Sequence, residues 1–107
     1  MKKVILESPY AGFVERNIIY ARLCVRDSLM RGECPIASHL LYTQEGILND
    51  EIESERMQGI NAGLEWKKVA DLQVFYIDYG ISKGMQYGMD YAKEHNIPFE
   101  TRKILKK

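Results

Sequence analysis

The chain has 107 residues, 46% hydrophobic and 28% charged, which suits one soluble domain with a single core and leaves no room for a second. Fifteen basic residues balance fifteen acidic ones, so the broad positive field that attracts polymeric nucleic acid or an anionic membrane is missing. No apolar run approaches the roughly 18–20 residues of a membrane span, and Met1-Lys2-Lys3 leads into a strand-like run rather than a signal-peptide core, so a cytoplasmic chain is expected.

Residues 3–6 (Lys-Val-Ile-Leu) form a short apolar run ended by Ser8-Pro9, the pattern of a strand buried on both faces. From Val14 the period changes. Val14, Ile18, Ala21, Val25 and Leu29 recur every three or four residues, predicting an amphipathic helix that Gly32 stops. Pro35-Ile36-Ala37 predicts a second, brief strand ahead of His39 and the polar stretch 43–50. Residues 53–69 predict the next helix, with Met57, Ile60 and Leu64 on its apolar stripe and Glu55, Glu65, Lys67 and Lys68 largely off it. Gly59 and Gly63 each cost about 1 kcal/mol relative to alanine in a helix interior, so close approach by a neighbour is expected to compensate. Residues 72–77 (Leu-Gln-Val-Phe-Tyr-Ile) are the clearest strand; Asp78-Tyr79-Gly80 ends it, and Ser82 can cap a helix running from about residue 83 to residue 95. Asn96-Ile97-Pro98-Phe99 then enters a last strand before a basic tail ending Lys106-Lys107.

The alternation of strand and helix predicts an α/β fold with a parallel sheet of four to five strands covered by helices on both faces. Ligands of such sheets sit beyond the carboxyl ends of the strands, which directs attention to residues 7–13, 38–44 and 78–88. Neither Gly-x-x-x-x-Gly-Lys-Ser/Thr nor Gly-x-Gly-x-x-Gly is present. Gly80-Ile81-Ser82-Lys83-Gly84 nevertheless joins a buried strand to a helix start, where free amides and the helix dipole favour an anion, although a plain serine-capped turn has the same pattern. His39 follows the second strand and can face a phosphate, sugar or base, or be structural; His95 suits a helix C-terminus. Cys24 and Cys34 lack Cys-x-x-Cys spacing and are expected to be buried and reduced, and no metal site or other cofactor is expected.

Taken as an ordered set, Val4-Ile5-Leu6-Glu7-Ser8-Pro9-Tyr10-Ala11-Gly12, Glu15-Arg16-Asn17, Pro35-Ile36-Ala37-Ser38-His39, Ala70-Asp71 and Asp78 with Gly80-Ile81-Ser82-Lys83-Gly84-Met85 resemble the nucleoside 2-deoxyribosyltransferase-like superfamily. The likeness covers nearly the whole chain and is strongest to small members from phages and bacteria. It implies a three-layer, flavodoxin-like (Rossmann-like) sandwich over residues 1–107 with a nucleoside or nucleotide pocket, and a host cytoplasm if the chain is phage-encoded.

Enzymes of that superfamily attack the anomeric carbon with a glutamate in a pattern resembling Ser-x-Gly-Thr-x-x-Glu-Ile-Gly-x-Ala. Matching Gly84 and Ala92 to it puts Gly88 at the glutamate and Met85 at the threonine, while Asp78 matches an acidic residue near the sugar. Glycine cannot be a nucleophile. The resemblance therefore implies a non-catalytic protein that senses or sequesters a nucleotide or nucleotide-derived signal, sponge-like, as a phage counter-defence protein would. The alternative is an enzyme that cleaves or exchanges an N-glycosidic bond through a relocated carboxylate, Glu7 or Asp78. The expected pocket comprises Glu7, Ser8, Pro9, Tyr10, Gly12, His39, Asp78, Gly80, Ser82, Lys83, Gly84 and Met85, with room for ligand beside Gly88. Tyr42, Tyr79 and Tyr87 also fall in or next to these loops, where rings can stack on a base or fill the core. A homo-oligomer is expected, because the small faces Gly59/Gly63 and Gly84/Gly88/Ala92 would let helices of two subunits approach.

Overall fold

Strands form where the sequence offers side chains that can be buried on both sides. In the computed structural model, which describes residues 1–105, β1 (Lys3–Glu7) and β3 (Leu72–Tyr76) are the two central strands, and every residue of β3 is buried. β2 (Cys34–Ile36) and β4 (Phe99–Arg102) lie at the edges, giving a wholly parallel sheet in the order β2-β1-β3-β4. Pro35, which has no amide to donate, is tolerated because β2 is an edge strand. The end of the basic tail, Lys106-Lys107, lies outside the described residues.

The pleat divides the side chains between two layers. Val4, Leu6, Val74 and Tyr76 pack with Tyr20 and Cys24 of α1 (Val14–Met30). Phe75 packs on the opposite face with Met85 and Met89 of α4 (Lys83–Glu94), the face to which Glu7 and Gln73 also belong. α3 (Glu53–Lys67) reaches this second face through Lys67. The result is a three-layer, flavodoxin-like α/β sandwich. Its strand order reverses between β1 and β3, which places a crevice at their carboxyl ends.

Helix α1 ends as expected. Gly32 adopts φ +81° and donates to the Leu29 carbonyl at 2.9 Å, while Glu33 donates to Ser28 at 3.2 Å, a Schellman closure. Its buried stripe, however, is Asn17, Tyr20, Ala21, Cys24 and Ser28, and Leu29 is half exposed. Polar members of this stripe are buried because they have partners: the Asn17 amide donates to the carbonyls of Tyr10 and Ala11 at 2.9 and 3.2 Å, tying the β1–α1 loop to the helix.

One further expectation is corrected and others are refined. Cys34 is exposed at the sheet edge, although Cys24 is buried as expected. The last strand begins at Phe99, because Asn96 takes a left-handed φ of 54° that ends the α4 connection. A short helix, α2 (Ser38–Leu41), occupies the segment between β2 and the polar loop. Gly59 and Gly63 have the close neighbours expected to compensate their cost in a helix: a Cβ on Gly59 would stand 3.2 Å from Leu48, and one on Gly63 would stand 2.9 Å from Ser38 Oγ. No described helix is long and apolar enough to cross a membrane.

Asp78 follows β3 on the α1 side. The Tyr20 hydroxyl donates to its carboxylate at 2.6 Å and accepts from its amide at 2.9 Å, and the amides of Ile104 and Leu105 donate to the same carboxylate. Burial works against ionisation, but these donors prevail and hold Asp78 below the usual carboxylate range. Tyr20→Phe is expected to destabilise the fold by about 2 kcal/mol, since one change orphans the Asp78 amide and takes one donor from its carboxylate, which keeps the Ile104 and Leu105 amides. A urea midpoint equal to that of the parent protein would refute this.

Candidate functional site

A cavity of about 520 Å³ opens beyond the carboxyl end of β1, walled by α2, the start and inner face of α3, and the first turn of α4. The sequence positions these walls through small residues and caps. Gly63 lets α2 sit on α3, the Trp66 indole donates to the Tyr42 hydroxyl at 2.9 Å, and the Ser82 hydroxyl accepts from the Met85 amide at 3.2 Å to start α4.

Glu7 lies in the cavity wall. Its carboxylate is 2.8 Å from the Lys67 ammonium and accepts from the Gln73 amide. Lys67 is only 5% exposed, so the pair is largely withdrawn from water. Burial pushes the Glu7 carboxyl above its ordinary range, even though Lys67 and Gln73 pull it down. A Cβ on Gly88 would stand 2.5 and 2.8 Å from the two Glu7 oxygens and 2.8 Å from Lys67 Nζ. The space expected to admit ligand beside Gly88 is thus filled by the chain's own ion pair, and this expectation is corrected.

Beside Glu7, Ser8 Oγ and His39 Nε2 share a hydrogen bond at 2.8 Å. Burial pushes the His39 imidazole down to about 4, so it is neutral at physiological pH. A base that weak is poorly matched to activating a serine at neutral pH. The pair instead presents uncharged polar atoms to the cavity.

Of the residues expected in the pocket, Glu7, Ser8, Tyr10, His39, Ser82, Lys83, Gly84 and Met85 line this cavity, as do Tyr42 and Tyr87. Gly12 lines an adjoining cleft. Pro9 is buried and outside the lining, and Gly80, with φ +87°, makes the turn after β3. Asp78 is also outside, because its carboxylate is committed to Tyr20 and the chain end on the other side of the sheet. Tyr79 stacks edge-on with Tyr20 and lies under the Arg16 guanidinium, 4.0 Å from its ring centre. Three site residues escaped the sequence reading. Patterning alone sets Lys67 on the polar side of α3, Gln73 is one polar residue in an apolar strand, and Arg56 lines the cavity from the first turns of α3.

Search of the curated proteins returns no match to this chain. Residues 2–102 match a family model described as "Domain of unknown function (DUF7768)", and the chain belongs to that family.

Proposed function

We propose that the chain binds a nucleotide or nucleotide-derived signal in the Glu7–His39–Ser82 cavity without turning it over. The observation that carries this reading is the state of the carboxylate beside Gly88: Glu7 is held by a buried lysine and an amide, a geometry suited to accepting hydrogen bonds from a ribose hydroxyl. Tyr10, Tyr42 and Tyr87 supply rings for a base, and Arg56 and Lys83, which make no salt bridge among the described residues, supply charge for phosphate.

The test is incubation with nucleosides, nucleoside monophosphates and cyclic or ADP-ribose-type nucleotides, followed by chromatography before and after heat denaturation. Intact ligand released only by heat is the expected result. Gly84→Val is the matched control. A Cβ there meets nothing within 4 Å, so the variant folds normally, yet its added methyls enter the cavity mouth and weaken binding about tenfold or more. Equal affinity of parent and variant would place the ligand elsewhere.

A second reading has its own support. Glu7 brings a carboxylate beside the one position where the superfamily pattern expects a glutamate and this chain has Gly88, so Glu7 is the residue that would attack an anomeric carbon. Free base appearing with the parent protein and not with Glu7→Gln would favour this enzyme over the binding protein.

A further inference from the structure

The outward face of α1 carries an apolar stripe that none of the described residues covers. Ile19 is 60% exposed, Leu23 46% and Met30 69%. With Glu15, Arg22 and Arg26, also exposed, these residues recur at intervals of three or four and therefore share one face. The buried stripe of α1 lies on the opposite side, so α1 is apolar toward the sheet and again toward solvent.

From this we infer that α1 pairs antiparallel with α1 of a second copy of this chain. Consider a two-fold axis crossing the helix at the level of Ala21. Ile19 then faces the partner's Leu23, and Leu23 faces the partner's Ile19. Glu15 comes to within about 1.5 Å, one residue of helical rise, of the level of the partner's Arg26, and symmetry repeats the contact at the other end. Neither Glu15 nor Arg26 has an ion-pair partner among the described residues. Arg22 flanks the stripe, where its stem can cover apolar surface while its head stays in water. The charge pattern is thus self-complementary only in the antiparallel sense, because a parallel pairing would set Glu15 on Glu15 and Arg26 on Arg26. A net charge of zero leaves no overall repulsion between copies. This surface differs from the glycine faces suggested by the sequence, and it does not depend on the identity of the ligand.

Light scattering on the full chain tests the pairing. The parent protein is expected at twice its chain mass of 12.4 kDa at micromolar concentration. Leu23→Asp, a change at an exposed position that leaves the core intact, is expected to weaken the dimer by about 30-fold or more. Glu15→Arg and Arg26→Glu should each weaken it by setting like charges together at both ends, and the double variant should restore it. A monomeric parent protein overturns the inference and leaves the face to a different partner. A dimer indifferent to Leu23→Asp, or two weakened single reversals that the double variant does not rescue, overturns it equally.

Discussion

Arg102→Met is expected to cost about 3–5 kcal/mol of stability at neutral pH, the usual consequence of breaking a buried ion pair and leaving one charge behind. Arg102 is 7% exposed and reaches three partners on two strands and a loop. Its guanidinium donates to both oxygens of Glu33 at 2.7 and 2.8 Å, to the Tyr76 hydroxyl at 3.1 Å and to Glu100 at 2.8 Å. The Ser28 hydroxyl also donates to Glu33, and the Tyr76 hydroxyl donates to Asp27, so the network ties β4 and β3 to the end of α1. Methionine keeps the apolar bulk and removes every one of the guanidinium's bonds.

The pH dependence of that loss has a definite sign. Hydrogen bonds from Arg102 are the main reason that the Glu33 carboxyl is lowered from 4.5 to about 2. A carboxyl whose folded value lies below its unfolded value stabilises the fold above the unfolded value, and that contribution fades as pH falls through the folded one. Glu33 is 12% exposed, and a shift of this size corresponds to about 3 kcal/mol, lost between roughly pH 4.5 and pH 2. In Arg102→Met this acid limb should largely vanish, so the gap between parent and variant closes as the solution is acidified. Urea titrations at a series of pH values measure it, and parallel curves for the two proteins would contradict the account.

How much of this was legible in the sequence depended on whether the information was local. The runs 3–6 and 72–77 announce themselves because a strand buried on both faces has to be apolar throughout, and the Gly32 stop is likewise local chemistry. α3 shows the limit. Ile60, Gly63, Leu64 and Lys67 stand at i, i+3, i+4 and i+7, the true inward stripe, but a lysine is assigned to solvent unless a partner is known, and its partner Glu7 is sixty residues away. Asp78 failed for a different reason. Its place after β3 points to the crevice, but the alternation Val74, Tyr76, Asp78 continues on the α1 side, opposite the face of Glu7 and Phe75. Only the β1–β3 register settles which face each carboxylate joins.

Lys67→Met is expected to be damaging to a similar degree, about 3 kcal/mol at neutral pH, with a penalty that also fades in acid but at higher pH, because the Glu7 carboxyl is raised where that of Glu33 is lowered. The Glu7 carboxyl is raised in the folded protein, chiefly by burial, so the folded state holds its proton more tightly than the unfolded chain does. Such a group weakens the fold as pH rises from 4.5 through the folded value, and leaves it untouched in acid. Removing Lys67 takes away the charge and hydrogen bond that oppose the rise, so the penalty should widen between pH 4.5 and neutrality and nearly disappear below it. Adding Glu7→Gln to Lys67→Met removes the uncompensated charge and should recover most of the loss with little pH dependence. A gap that stays constant across this range, or a double variant as weak as Lys67→Met alone, would count against the pair as drawn. The contrast with Arg102 separates two uses of one interaction. Arg102 makes Glu33 an easy acid to ionise and gains stability from it, whereas Glu7 stays hard to ionise even beside its lysine, in the wall of an open cavity. A raised carboxylate held by a buried lysine in a cavity wall is a candidate functional group, and this supports the proposed reading of Glu7 as a ligand's acceptor.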